Sequence, residues 1–337
     1  MTVLVTGAAG FLGSHVTELL LEAGEHPRLL VRPGESVAAP VALSLEVQRG
    51  DLADRTTLES ALTGVDCVLN CAARTGPWGP HAEYERTNVR GLETLVRTAI
   101  AAGVRRVVHV SSITVHGNDV RGTADERAPL REEPNPYSRS KVAGERLLER
   151  MRRDEGAPVT IVRPGWIYGP GDRASFGRLA QRIAEGRMLI VGRGSNHLPL
   201  IYVRDAARGI LLAGARDEAA GRTYLLVNDE PVTQRDFLAA IAAALGAPTP
   251  ARHIPYKLAL TLGATAEALA HLVHRREPPP LMRYGVQLLG GENRFAITRA
   301  REELGFEPLV DLAEGVRRSA AWWVGADEPA CAAEVPA

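Results

Sequence analysis

Tyr137 and Lys141 stand four residues apart, a spacing that places a phenol and an ammonium on one helical face about one turn apart. A phenol ionises near pH 10, roughly three units above neutrality, so acid–base work there asks for about 4 kcal/mol of differential stabilisation. A neighbouring ammonium has the right sign to supply it. The same spacing also arises by chance on many helices, so the pair alone fits ordinary structure as well as it fits catalysis. Two adjacent hydroxyls, Ser111 and Ser112, close an apolar run, where strand-end capping is one plain role for them.

Chemistry at these side chains depends on elements that hold them. Asn135 and Pro136 read as the N-cap and first position of a helix that carries Tyr137 and Lys141 forward. Near the amino terminus, Thr6-Gly7-Ala8-Ala9-Gly10-Phe11-Leu12-Gly13 follows a short apolar run and opens a helical one. Backbone N–H groups in such a turn, with the positive end of the next helix behind them, bind a pyrophosphate without a basic side chain. A plain strand-to-helix turn is the competing reading, and position after the first strand favours a dinucleotide. About 20 residues on, where an acidic residue would hold the ribose 2′-hydroxyl of NAD, the chain has Val31-Arg32. Arg32 suits the 2′-phosphate of NADP, so NADP is expected over NAD, although Glu35 stands nearby. Asp51 and Leu52 suit an adenine edge and face, and Asp51 equally suits a helix cap.

Apolar or β-branched runs at 3–6, 29–31, 45–47, 67–70, 106–110 and 159–162 alternate with helical patterns. Their continuous apolarity implies strands buried on both faces, and the intervening helices imply crossovers. The expected class is α/β, a Rossmann-type doubly wound parallel sheet with a smaller mixed α/β carboxy-terminal lobe. Residues 1–170 are expected to form the dinucleotide-binding domain, with contributions returning around 196–230. Residues 171–324, with helices at 175–185 and 234–245 and a strand at 224–227, would form the substrate lobe, and 325–337 a mobile tail.

Of 337 residues, 45% are hydrophobic, and 40 basic side chains balance 40 acidic ones; no global field draws the chain to nucleic acid or an anionic membrane. A small-molecule partner is expected, and no metal. Cys67, Cys71 and Cys331 form no disulfide framework, which suits a reducing, cytoplasmic setting. No signal-peptide pattern precedes the first strand. The longest apolar helical stretch, 258–273, carries Glu267 and His271 and is shorter than the roughly 20 residues a bilayer span needs.

TGAAGFLG, GDL, NCAA, TNVRG, VSSITVHG, PYSRSK and RPGWIYGPGD occur in this order, and the set resembles the extended short-chain dehydrogenase/reductases over nearly the whole chain. The resemblance implies that Tyr137 gives or takes the substrate proton, that Lys141 tunes it and holds the nicotinamide ribose, and that Ser112 binds the reacting oxygen. It extends the cofactor set to Gly7, Ala9, Gly10, Phe11, Leu12, Gly13, Arg32, Asp51, Leu52, Cys71, Ala72, Ala73, Asn88, Ser111, Pro164, Gly165, Trp166 and Ile167, together with Tyr137 and Lys141. The second half is similar to the 3β-hydroxysteroid dehydrogenase and sterol-4-carboxylate 3-dehydrogenase branch, whose relatives also reduce 2-alkyl-3-oxoalkanoates. That similarity implies a hydrophobic secondary alcohol or ketone, with Thr75, Trp78, Ser112, Ile113, His116, Trp166 and Tyr202 on the substrate side. For Trp78 an ordinary turn, and for His116 simple packing, compete with that role. A homodimer paired through the helices carrying Tyr137 and Asn88 is implied too.

Two other functions share these motifs. A nucleotide-sugar epimerase would use the same Tyr–Lys pair but needs cations for a diphosphate, which Arg178, Arg182, Arg187 and Arg193 would supply. A non-catalytic NAD(P)-sensing module would have no need of Tyr137, Lys141 and Ser112. A sugar 4,6-dehydratase is disfavoured because Ser112-Ile113-Thr114 lacks the acid that elimination requires.

Overall fold

The computed structural model describes residues 1–37 and 44–325; Cys331 and the expected tail beyond Gly325 lie outside the described residues. Seven strands form one parallel sheet in the order Thr223–Leu226, Val159–Pro164, Arg106–Val110, Cys67–Asn70, Val3–Thr6, Arg28–Val31, Val47–Arg49. Helices cover both faces, as a parallel sheet of continuous apolar strands requires. Phe11–Glu22 and Val203–Ala215 pack on one side, and Arg55–Ala61, Leu92–Ala101 and Pro136–Glu155 on the other. The chain departs in opposite directions from the neighbouring strands Val3–Thr6 and Cys67–Asn70, which opens a crevice beyond their carboxyl ends.

The third strand lies two residues later than the expected 45–47. Its register is Leu29 opposite Val47 and Val31 opposite Arg49, closed by hydrogen bonds from Leu29 N to Glu46 O (2.9 Å) and from Gly50 N to Val31 O (2.8 Å). Leu45 is apolar because it packs against the core beside the ladder.

The second lobe has its own core, built from Phe176–Ala184, Gln234–Ala244, Tyr256–Leu272 and Leu312–Trp323. Three short parallel pairs tie segments far apart in the chain: Trp166–Tyr168 with Leu200–Tyr202, Ile190–Val191 with His253–Ile254, and Val120–Ala124 with Asn293–Phe295. Among the described residues no helix is long and apolar enough to cross a membrane.

The Pro136–Glu155 helix starts where its residues dictate. Asn135 Oδ1 accepts a hydrogen bond from Ser138 N at 2.9 Å, and Pro136 occupies the first turn, where a missing N–H costs nothing. Gly156 ends the helix at φ 63°, a left-handed conformation that suits glycine. Gly144 lets the helix approach closely, since a Cβ there would sit 3.0 Å from Asn88 O.

Candidate active site

Apolar strands end in polar residues along the crevice, and a buried chain of bonds fixes them. Thr6 Oγ1 donates to Asn70 Oδ1 at 2.6 Å, Asn70 Nδ2 lies 3.0 Å from His109 Nδ1, and Ala72 N donates to Thr6 Oγ1 at 3.3 Å. Burial, with Lys141 nearby, holds the His109 imidazole well below its ordinary range, so it stays neutral inside the sheet.

The glycine loop forms a cradle that side chains would fill. A Cβ on Gly13 would lie 2.1 Å from Gly7 O, and one on Gly7 would lie 2.7 Å from Ala72 N. Gly10 is the N-cap of the Phe11–Glu22 helix, without a side-chain cap and with no acidic residue in the first turn. Its first N–H groups therefore remain available to an anion. The cleft they face measures about 770 Å³, within the range of small-molecule and cofactor sites.

Gly7, Gly10, Phe11, Leu12, Gly13, Arg32, Asp51, Leu52, Cys71, Ala72, Ala73, Ser111, Pro164, Gly165, Trp166 and Ile167 line this cleft together with Ser112, Tyr137 and Lys141. Thr75, Trp78 and Ile113 join them. Asp51 serves two structural bonds at once, accepting from Ala53 N at 2.9 Å and from Arg86 at 2.9 Å. Burial pushes the Cys71 thiol up to about 12, which leaves it a poor nucleophile.

Four expected residues do not line the cleft. Ala9 packs against the core beneath the loop. Asn88, in the π-helical turn Glu85–Gly91, acts one layer behind: its side chain accepts from Arg74 N (2.8 Å) and donates to Arg74 O (2.9 Å) and Ser140 Oγ (2.8 Å). It thereby clamps the loop after the fourth sheet strand to the tyrosine helix. His116 turns away because Arg163 Nη1 lies 3.1 Å from its Nε2, and burial beside that guanidinium lowers it to about 4. Tyr202 sits in the second lobe's core, edge-on to Tyr168 with ring centroids 5.8 Å apart.

At the centre, Ser112 caps the short turn Ile113–His116, accepting from Thr114 N at 3.2 Å, and lines the cleft together with Tyr137. Lys141 Nζ donates to Val110 O at 2.7 Å and lies 6.0 Å from the Tyr137 ring centroid. Burial lowers the Lys141 ammonium to about 8. The Tyr137 phenol is raised, chiefly by burial. Lys141, 6.0 Å from the ring and tied to a carbonyl, leaves burial as the larger influence, and the phenol remains a proton donor.

Beneath this centre lies a fully buried ion pair. Arg163, 3% exposed, bonds the Glu145 carboxylate through Nε at 3.0 and 3.1 Å, and Ser111 Oγ donates to the same carboxylate. The Arg163 guanidinium also donates to Glu126 O at 3.0 Å. Sequence spacing marks none of this, since Glu145 and Arg163 meet only when the helix lies on the sheet. Of the four arginines weighed for a diphosphate, Arg178 alone lines the cleft; Arg182 bonds Pro280 O and Arg187 pairs with Glu185. Arg178 has no acidic partner among the described residues, and Pro278, Met282, Tyr284 and Leu288 line the same cleft from the second lobe.

The model of the NAD dependent epimerase/dehydratase family matches residues 3–226. The chain belongs to that family. It is 34% identical to the 2-alkyl-3-oxoalkanoate reductase of Stenotrophomonas maltophilia, over 94% of this chain and 98% of that one. It is 30% identical to the 3 beta-hydroxysteroid dehydrogenase/Delta 5→4-isomerase of Mycobacterium tuberculosis, over 96% and 90%. Among solved structures, the dTDP-glucose 4,6-dehydratase DesIV of Streptomyces venezuelae, with NAD bound, superposes with a TM-score of 0.78 at 27% identity, covering 96% of this chain and 97% of that one.

Proposed function

We propose that this member of the family is an NAD(P)-dependent oxidoreductase that interconverts a secondary alcohol and a ketone on a hydrophobic substrate, with an alkyl β-keto acid favoured. The observation that carries the reading is the Ser112–Tyr137 hydroxyl pair, with Lys141 behind it, facing a cleft whose far wall is apolar. The nicotinamide cofactor supplies or accepts the hydride. The glycine loop, Asp51, Leu52, Ala72, Ala73 and the 164–167 segment would hold it. In the reducing direction the Ser112 hydroxyl binds the carbonyl oxygen, and the Tyr137 hydroxyl gives that oxygen its proton as negative charge develops there. Lys141 stabilises the tyrosinate left behind. Ile113, Trp78, Trp166, Met282 and Leu288 exclude water around the reacting carbon, and Arg178 offers a cation to a substrate carboxylate. The similarity to the Stenotrophomonas reductase supports this substrate class. Following NADPH and NADH absorbance with 2-alkyl-3-oxo esters, 3-oxosteroids and UDP-sugars tests the reading. Consumption with the oxo esters is expected; turnover of UDP-sugars alone, without net consumption, would point to an epimerase instead.

NADP is the preferred cofactor in this reading. Arg32 is 61% exposed and lines the cleft beside Glu35, with which its guanidinium pairs, and an arginine there supports recognition of a 2′-phosphate. Direct titration should give a lower Kd for NADPH than for NADH; the opposite order would overturn the preference. We also place the enzyme in the cytoplasm, where Cys67 and Cys71 stay free thiols, and read it as a homodimer, which sedimentation checks.

The reaction's pH dependence follows from the two shifted groups. Lys141 carries its charge below about 8 and loses it above, whereas Tyr137, raised by burial, stays protonated through that range. Reduction should therefore slow as pH rises through about 8, and that limb belongs to the lysine. Lys141→Arg, whose guanidinium holds its proton, should move the limb upward in a kcat–pH profile. A profile flat through pH 8 in the unsubstituted enzyme would remove the lysine from the mechanism.

A further inference from the structure

Tyr284 is the second residue of the Arg283–Gly290 helix and lines the cleft from the second lobe, whereas Tyr137 lines it from the Pro136–Glu155 helix. The two phenols are near enough that charge on Tyr137 opposes ionisation of Tyr284. The Tyr284 hydroxyl makes no hydrogen bond to any other described residue. Two other tyrosines have protein partners: the Tyr84 hydroxyl reaches Gly76 O at 2.8 Å and Trp78 O at 2.9 Å, and that of Tyr224 reaches Glu303 at 2.7 Å. Tyr284 is half-buried and its hydroxyl has no protein partner, so it is free to bond a ligand oxygen that enters the cleft.

The backbone that presents it is held firmly. Glu267, buried on the Tyr256–Leu272 helix, accepts from Arg283 N at 2.7 Å and from Arg283 Nε at 2.6 Å. Gly263 on the same helix admits the Arg283 backbone so closely that a Cβ would lie 3.0 Å from its N. Tyr284 therefore enters the cleft from a fixed point, as orientation of a substrate requires.

We propose that Tyr284 is the residue that reads the second oxygen of the substrate: with the reacting carbonyl at Ser112 and Tyr137, the Tyr284 hydroxyl donates to the carboxyl or ester group on the adjacent carbon. The role rests on the oxidoreductase reading above and assigns the discrimination within it. It applies equally to an alkyl chain and to a ring system bearing a carboxyl beside its ketone, because both present the same pair of oxygens. Burial keeps the phenol protonated and hence a donor.

The test compares the full-length chain and its Tyr284→Phe variant on an ethyl 2-alkyl-3-oxoalkanoate and on a 2-alkanone of matched length, with NADPH consumption as readout. Phenylalanine keeps the ring and removes only the hydroxyl. KM for the oxo ester should rise about tenfold, the cost of one buried hydrogen bond, with a much smaller change in kcat. The alkanone, lacking the second oxygen, should respond far less, so the preference for the ester should collapse. An unchanged KM for the ester, or equal losses on both substrates, overturns the role of Tyr284 while leaving the oxidoreductase reading in place. Failure of the unsubstituted enzyme to reduce either carbonyl overturns both.

Discussion

Replacing Tyr137 by phenylalanine is expected to cut turnover on the order of 100-fold or more while cofactor affinity stays within a few fold. The substitution removes the phenolic hydroxyl that lines the cleft with Ser112. It leaves the ring against which Lys141 sits at 6.0 Å and the bond from Lys141 Nζ to Val110 O. The glycine cradle at Gly7, Gly10 and Gly13 is untouched. A fall in kcat and kcat/KM together, with an unaltered Kd for the reduced cofactor, would be the signature of an interaction made in the transition state. An active phenylalanine variant would take the phenol out of the chemistry and leave Ser112 or water as the donor.

Arg163→Met should destabilise the fold by about 3–5 kcal/mol. Glu145 is wholly buried and Arg163 nearly so, and removing the guanidinium strands a carboxylate with only Ser111 Oγ to bond it. Adding Glu145→Gln should recover a large part of the loss, since a neutral amide costs far less to bury than an unpaired charge. Urea denaturation of the single and double variants measures the difference. Equal stability of the single variant and the parent would show that the pair contributes registry alone. Because Ser111 adjoins Ser112 and Arg163 adjoins Pro164, the single variant should also loosen the cleft wall.

The glycine loop and the helix start were legible because their signals are local: Gly7, Gly10 and Gly13 follow an apolar strand, and Asn135-Pro136 can hardly do anything but begin a helix. The sheet was legible through its continuous apolar runs. The small strand pairs were not, since Val120–Ala124 finds its partner at Asn293–Phe295, and two- or three-residue strands carry no period. His116 and Tyr202 stay out of the cleft for opposite reasons. His116 follows the serine pair closely in the chain, yet a guanidinium arriving from another strand holds its ring. Tyr202 lies on a strand whose pairing with Trp166–Tyr168 sends its ring into the second core. Tyr284 carries no signal of its own within its apolar stretch; only the fold brings it to the cleft that Tyr137 lines.

The strand Thr223–Leu226, donated to the main sheet from beyond the second lobe's first helix, makes the two lobes inseparable at the level of the gene. A fragment ending near residue 170 would leave the long edge of Val159–Pro164 with unpaired backbone groups. It would also bare the sheet face on which Val203–Ala215 lies so closely that a Cβ on Gly214 would meet Leu69 at 3.2 Å. Such an edge invites aggregation, so truncation should yield inclusion bodies and no free cofactor domain. New specificities would then have to come from substitutions within loops and helices such as Arg283–Gly290, and not from exchange of a detachable module.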